Sequence, residues 1–337
     1  MSDAYRIMGQ NGSPYSMKMR AILRYRRIHH IWIQQTPGND PETANVKPRL
    51  IPMMKFPQDG VWRLDSTPMA YELEELETAR SILPADPVQR FLSDLIEDMA
   101  DEWLTKAMFH YRWHYEDDRE YAAFWIACDN TPSGEGAAEK RRQFADWIRD
   151  RQVGRMALVG CTDENKPVIE ESFHRLLRAL ETRLGYRSFL FGGRPSLGDF
   201  GLFGQLKTLS DDPTGRATIR REAPTVLHWT RHVDDLSGLE GEWMDADAPL
   251  PEAVTGLLRL CGEAYLPFLA ANLRGIEDGA EEIRLEIFGK PYAQTPFRYQ
   301  AKCYTRLKSL LARLSPGDRG RLDPLLDETG CLALLTD

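Results

Sequence analysis

Asn11-Gly12-Ser13-Pro14-Tyr15-Ser16 joins two runs of opposite character. Before it, Tyr5 to Gln10 reads as a short strand. After it, Ser16 to Arg27 carries Met19, Ile22, Leu23 and Arg26 at helical spacing. Pro14 suits the first turn of that helix, where its missing N–H is no loss. A helix amino terminus presents unpaired N–H groups and the positive end of a dipole, which favours an anion there. Ser13 and Ser16 bring hydroxyls that can donate to the same anion. On these six residues alone, a plain N-cap role for Ser13 is the simpler reading.

The neighbouring residues extend the pattern. His30 to Gln34 reads as a second strand, with Ile31 and Ile33 alternating. Thr36 to Asp40 has turn chemistry, and a short helical stretch is expected after Pro41. Met53 to Phe56 and Val61 to Leu64 flank Pro57-Gln58-Asp59-Gly60, a hairpin signal because Asp-Gly supplies positive φ at little cost. Asp65 or Ser66 can cap a helix that covers Tyr71 to Ile82. The resulting order is β-α-β-(α)-β-β-α. Two further segments carry chemistry. Ile51-Pro52 precedes a strand that belongs in the sheet interior, so the proline fits a strand start or a cis turn. Leu64-Asp65-Ser66-Thr67-Pro68 sets a carboxylate beside a hydroxyl and free amides, a set that can hold an amino and a carboxylate group together.

Leu83-Pro84-Ala85-Asp86-Pro87 marks a first boundary. Beyond it, helices are expected over Pro87 to Met108, Lys140 to Gln152, Lys166 to Leu184, Ser196 to Leu209 and Pro224 to Leu236. Asp129 to Glu135 and Asp211 to Gly215 read as loops. A second, acidic connector runs from about Gly238 to Pro251. It leads to an amphipathic helix near Pro251 to Arg274, a strand-like run at Ile283 to Phe288 and a helix at Gln300 to Leu314. The organisation expected is residues 1–83, residues 88–238 and an extension over residues 239–337.

With 337 residues, 42% hydrophobic and 28% charged, the chain can bury more than one core. Its net charge of −8 argues against broad electrostatic binding to nucleic acid or anionic lipid. No apolar run approaches the roughly 20 residues of a membrane span, and the opening residues lack the pattern of a signal peptide. Cys128, Cys161, Cys261, Cys303 and Cys331 are scattered without a CxxC pair, so neither a disulfide framework nor a structural zinc site is expected. A cytoplasmic setting follows as the expectation.

In order and spacing, these elements resemble the glutathione S-transferase superfamily over about residues 4 to 236. Ser13-Pro14-Tyr15-Ser16 is similar to the family's active-site turn, where other members carry CPYC or a serine variant. Ile51-Pro52 falls at its cis-proline loop. Asp65-Ser66 falls where Glu-Ser or Gln-Ser commonly holds the γ-glutamyl end of glutathione. Phe189 to Asp199 resembles the segment before the core helix, with Ser196 and Asp199 forming a structural capping box. The resemblance implies an α/β thioredoxin-like amino-terminal domain, an all-α glutathione-transferase-type domain and a mostly helical carboxy-terminal extension.

It also implies a function: glutathione thiolate attacking a hydrophobic electrophile, by conjugation or by ether or halide cleavage. Ser13 would donate to the thiolate, with Tyr15 and Ser16 as fallback donors. Ile51, Pro52, Asp65 and Ser66 would hold the tripeptide, and a homodimer is the family's usual assembly. The alternative is a non-catalytic module of the same fold, to which the extension, with Phe297-Arg298-Tyr299-Gln300, would be suited; that segment could equally cover the active site or extend a dimer interface. Three departures stand out. Asp65 is one methylene shorter than the usual residue. Pro37 to Arg49 matches the family's second helix poorly, with Lys47 and Arg49 as basic candidates there. The extension exceeds the family's usual length. Neither residue 13 nor residue 16 is cysteine, which disfavours dithiol chemistry at the turn.

The pairs His110/His114 and His228/His232 have a spacing that can bind metal, but without an HExxH motif the default is polar histidines and no metal. The aromatics Trp103, Phe109, Tyr111, Trp113, Tyr115, Tyr121, Phe124 and Trp125 read first as core or interface. By the resemblance, their helix would line the electrophile pocket.

Overall fold

The computed structural model describes residues 4–36, 41–131, 133–181 and 188–336. Strand β1 (Tyr5–Gly9) leads into helix α1 (Pro14–Tyr25), then β2 (His30–Gln34), a single 3-10 turn at Pro41–Thr43, β3 (Met53–Lys55), β4 (Trp62–Leu64) and α2 (Ser66–Leu76). The sheet order is β2-β1-β3-β4, with β1 parallel to β2 and the other neighbours antiparallel. This is a thioredoxin-like arrangement: one parallel β-α-β crossover, then a late hairpin. The turn expected over Thr36 to Asp40 lies, apart from Thr36, outside the described residues.

A helical region follows: α3 (Pro87–Met99), a π-helical turn at Ala100–Leu104, α4 (Thr105–Trp113), α5 (Glu116–Asn130), α6 (Ala137–Val153), α7 (Lys166–Glu181), α8 (Leu197–Leu209), α9 (Pro213–Glu222) and α10 (Pro224–Val233). Helix α8 is mostly apolar and buried along its whole length except at Lys207, as a core helix should be. The Ser196/Asp199 box starts it: Ser196 N donates to Asp199 Oδ2 at 2.8 Å, and Asp199 N donates to Ser196 Oγ at 3.4 Å. Gly204 lets α8 meet α1, since a Cβ there would lie 2.4 Å from the Pro14 carbonyl oxygen.

Two readings of this region change. Asp211 to Gly215, expected as a loop, contains the start of α9, with Pro213 in its first turn. Helix α5 has no counterpart among the bounded helices expected from sequence, although Glu116, Asp117 and Asp118 supply the acidic first turn that a helix amino terminus favours.

The extension comprises α11 (Glu252–Leu260), a second π-helical turn at Cys261–Tyr265, α12 (Leu266–Glu277), the hairpin β5 (Ile283–Ile287) and β6 (Lys290–Gln294), then α13 (Arg298–Ala312), α14 (Pro316–Glu328) and α15 (Leu332–Thr336). Phe288 and Gly289, both at positive φ, form the two-residue hairpin turn. Asn165 fastens the hairpin to the helical region: its Nδ2 donates to Ala293 O at 2.7 Å, and Ala293 N donates to its Oδ1 at 2.9 Å. Among the described residues, no helix is long and apolar enough to cross a membrane.

One ionic cluster joins the sheet domain to the helices. Lys18 of α1 is buried at 1% exposure, and its ammonium donates to Glu97, to Asp101 Oδ2 at 2.7 Å, to Ser66 Oγ at 3.3 Å and to Thr67 Oγ1 at 3.4 Å. Burial pushes the lysine toward neutrality, but the two carboxylates outweigh it and hold its pKa above the ordinary value. Removing one member of such a cluster strands buried charge. Lys18→Met is therefore expected to destabilise the protein by about 3–5 kcal/mol in urea unfolding. A loss below about 1 kcal/mol would show that the cluster is not what joins the two regions.

Candidate functional site

The turn after β1 opens on a cavity of about 610 Å³ between the sheet domain and the helices. Ser13 is the N-cap of α1, with extended backbone, and its Oγ accepts from Ser16 N at 3.2 Å. Acceptance from the backbone uses an oxygen lone pair and leaves the hydroxyl proton for an acceptor in the cavity.

The turn is held from the helical side. Arg112 of α4 donates from Nη1 to the Gly12 carbonyl at 2.7 Å, from Nε to Asp212 Oδ2 at 2.6 Å and from Nη2 to Thr208 O at 3.1 Å. Its guanidinium lies over the Trp125 ring at 5.2 Å. Trp125 in turn packs on Gly12, where a Cβ would stand 2.5 Å from the ring. Gly12 is thus required by the close approach of an aromatic side chain.

Of the residues expected at the site, Ser13, Tyr15 and Ile51 line this cavity. The Ile51-Pro52 peptide is cis. The Tyr15 hydroxyl points into the helical wall, donating to Asp101 O at 2.9 Å, and burial raises its pKa well above the ordinary value. Ser16 is buried with its Oγ accepting from Gln10 N at 3.3 Å, so it faces the protein interior. The Ser66 hydroxyl belongs to the Lys18 cluster. Asp65, at φ 74°, lies in a neighbouring cavity of about 320 Å³. Tyr299 of α13 lines both cavities and donates from its hydroxyl to Asp65 Oδ2 at 2.6 Å. The extension therefore stands between Ser13 and Asp65.

Phe109, Trp113 and Trp125 give the cavity an aromatic wall, while Trp103 and Tyr111 are core residues and Tyr121 and Phe124 are exposed. His110 is buried with its Nε2 3.1 Å from Glu170 Oε1, and its ring stacks on His114. Among the described residues, no three His, Cys, Asp or Glu side chains gather as a metal-binding set.

Two polar residues of the wall were not anticipated. Glu102, on the π-helical turn, and Lys106 line the cavity together. Burial, with the charges of Asp98 and Asp101, pushes the Glu102 carboxyl up to about 8, and a hydrogen bond with Gln300 opposes this. Burial pushes Lys106 down to about 8, and it donates to Gln294 Oε1 at 2.6 Å and to Val159 O at 3.0 Å. The available signal was the spacing of Glu102, Lys106, Phe109 and Trp113, which marks one face of a helix. Arg112 carried no such signal, because its partners come from three other segments.

Residues 137–232 match a family model described as the glutathione S-transferase C-terminal domain. Among solved structures, the chain is similar to beta-etherase LigF from Sphingobium sp. strain SYK-6, at 17% identity over 68% of this chain and 95% of that one, with a TM-score of 0.47. A glutathione S-transferase from Methylobacterium radiotolerans, in complex with glutathione sulfonate, shares 18% identity over 73% and 100% of the two chains, at a TM-score of 0.42. One from Methylobacillus flagellatus, with glutathione bound, shares 18% over 68% and 93%, also at 0.42. No curated protein matches the sequence.

Beneath the cavity, Asp98 accepts from the Tyr265 hydroxyl at 2.5 Å, and burial with the Glu97 charge raises it to about 7. A carboxyl raised on folding contributes stability that is full below the ordinary carboxyl range and is lost as pH climbs to about 7. Relative to Asp98→Asn, the wild type should lose stability from about pH 4 to 7, at up to about 1.36 kcal/mol per pH unit. Parallel stability–pH curves for the two proteins would refute this.

Proposed function

We propose that the cavity binds glutathione with its sulfur at Ser13, and that the thiolate attacks a hydrophobic electrophile held against Phe109, Trp113 and Trp125. The observation that carries this reading is the turn itself. An N-cap hydroxyl with its proton to spare and a helix amino terminus face an aromatic-walled cavity large enough for a peptide and a second molecule.

The energetics suffice. A free thiol titrates near ~8.5, and lowering it by ~2 units takes roughly 2.7 kcal/mol. A helix terminus supplies about 0.3–2 kcal/mol and a hydrogen bond to a charged acceptor about 1.5–3 kcal/mol. Neither is comfortable alone; together they reach the requirement. Ser13 acts as donor throughout and is not itself deprotonated. In a halide displacement, the sulfur forms a bond to the carbon bearing the halogen, the halide leaves with the bonding pair, and the thiol proton passes to solvent. The match of residues 137–232 to the glutathione S-transferase C-terminal domain agrees with this reading.

A specific observation favours a second reading, a non-catalytic module of the same fold. Asp65, the expected γ-glutamyl partner, is engaged by the protein's own Tyr299, and Ser66 by Lys18. Retention on immobilised glutathione, with thiolate absorbance at neutral pH, favours the enzyme; no retention favours the module.

In the enzyme, Ser13→Ala should raise the bound thiol pKa by about one unit or more and cut turnover at neutral pH about tenfold, with a folding cost near 1 kcal/mol from the lost cap. Unchanged turnover would remove Ser13 from the chemistry. Tyr299→Phe frees Asp65 of its internal donor and should tighten glutathione binding several-fold, up to about tenfold, as one hydrogen bond allows. Unchanged affinity would show that Tyr299 does not compete for this position.

A further inference from the structure

Three arginines stand at the mouth of the cavity: Arg49 on the sheet-domain side, and Arg151 and Arg155 at the end of α6. Arg151 lies in the last turn of α6 and Arg155 in the turn just past its C-cap Gly154; both line the cavity, and the charge of Arg155 acts on Arg151. Arg151 lies over the Trp147 ring at 5.6 Å and bonds Gln152 Oε1 at 3.2 Å; Arg49 bonds the Thr43 carbonyl at 3.0 Å. Among the described residues, none of the three has a carboxylate within ion-pair distance. The contrast lies on the same helix. Arg149, two residues away from Arg151, contacts Glu120 at 3.2 Å, Asp146 at 3.1 Å and Asp150 at 3.1 Å. In a chain of net charge −8, carboxylates are plentiful, yet among the described residues these three guanidiniums at the mouth have none in ion-pair distance.

The other charges of the wall do not cancel this field. Arg112 is already neutralised by Asp212. Asp129, also in the lining, is one carboxylate against three arginines and accepts from Asn11 at 3.1 Å, while burial pushes the Glu102 carboxyl up to about 8. Arg151 is itself made less basic by desolvation and by the charge of Arg155, a mutual repulsion that a bound anion would relieve.

From this geometry we infer that Arg151 and Arg155 form an anion subsite, and that the electrophile is an aromatic or apolar molecule bearing a carboxylate. The aromatic wall takes the body of the molecule, and the paired guanidiniums take its oxygens, for which their planar donors are suited. This names the substrate class of the site proposed above. Its reactive part rests on the thiolate reading; the anion subsite does not.

The test uses 4-chloro-3,5-dinitrobenzoate and 1-chloro-2,6-dinitrobenzene, which differ only by the carboxylate. Binding is read without glutathione, from the quenching of tryptophan fluorescence, so that no reaction intervenes. The wild type should bind the benzoate about tenfold tighter or more, equivalent to about 1.4 kcal/mol, and the preference should shrink with added salt. The double variant Arg151→Gln/Arg155→Gln should lose the preference and keep its affinity for the neutral compound. Both residues are exposed, so folding is not at stake. No preference in the wild type, or a preference surviving in the double variant, overturns the subsite. Weakened binding of glutathione alone in that variant also overturns it, by assigning the arginines to the tripeptide. If the wild type prefers the benzoate yet neither retains glutathione nor releases chloride when it is added, the subsite stands and the thiolate reading falls.

Discussion

The ammonium of Lys18, buried between two carboxylates, is the constraint around which the rest is arranged. It sits on the first helix of the sheet domain, while Glu97 and Asp101 sit at the end of α3 and the π-helical turn after it. A charge taken out of water must keep its partners or cost several kcal/mol. The cluster therefore fixes the rotation of α1 against the helical region. Ser13, one helical turn or so before Lys18, is fixed with it. The same cluster engages the hydroxyls of Ser66 and Thr67, so the start of α2 is tied to the same point.

Two further contacts refine that placement. Gly204 allows α8 to touch the start of α1, and Arg112 reaches from α4 to the Gly12 carbonyl. The turn at Ser13 is thus held by side chains of the helical region as well as by its own domain. A cavity between two regions needs such ties, because its walls come from both and must keep their spacing for a ligand to fit.

The extension contributes to the same cavity. Asn165 and Lys106 fasten β6, and Asn272 makes a pair of hydrogen bonds with the Phe297 backbone. Phe297, Tyr299 and Gln300 are thereby delivered to the cleft, with the Tyr299 hydroxyl on Asp65. Glu102, in the lining of this cavity, and Asp98, in that of its neighbour, are both raised by burial.

Local chemistry made much of this legible in the residues. The first strand and helix, the late hairpin with Asp59-Gly60, the Ser196/Asp199 box and the turn at Ser13 follow from periodicity, turn residues and caps acting over a few positions. What stayed hidden depends on partners far apart in the chain. Helix α9 was masked because Asp212-Pro213 reads equally as a loop and as a helix start. The roles of Arg112, Lys18 and Tyr299 depend on carbonyls and carboxylates brought close only by packing. Sequence alone determined the order of elements in the sheet domain and the hydroxyl at the head of the first helix, because those rest on short-range backbone preferences. Tertiary structure decided which hydroxyls face the cavity, which are spent in buried clusters and which arginines have no carboxylate in ion-pair distance among the described residues. Those outcomes depend on desolvation and on contacts that exist only once the helices have closed on the sheet.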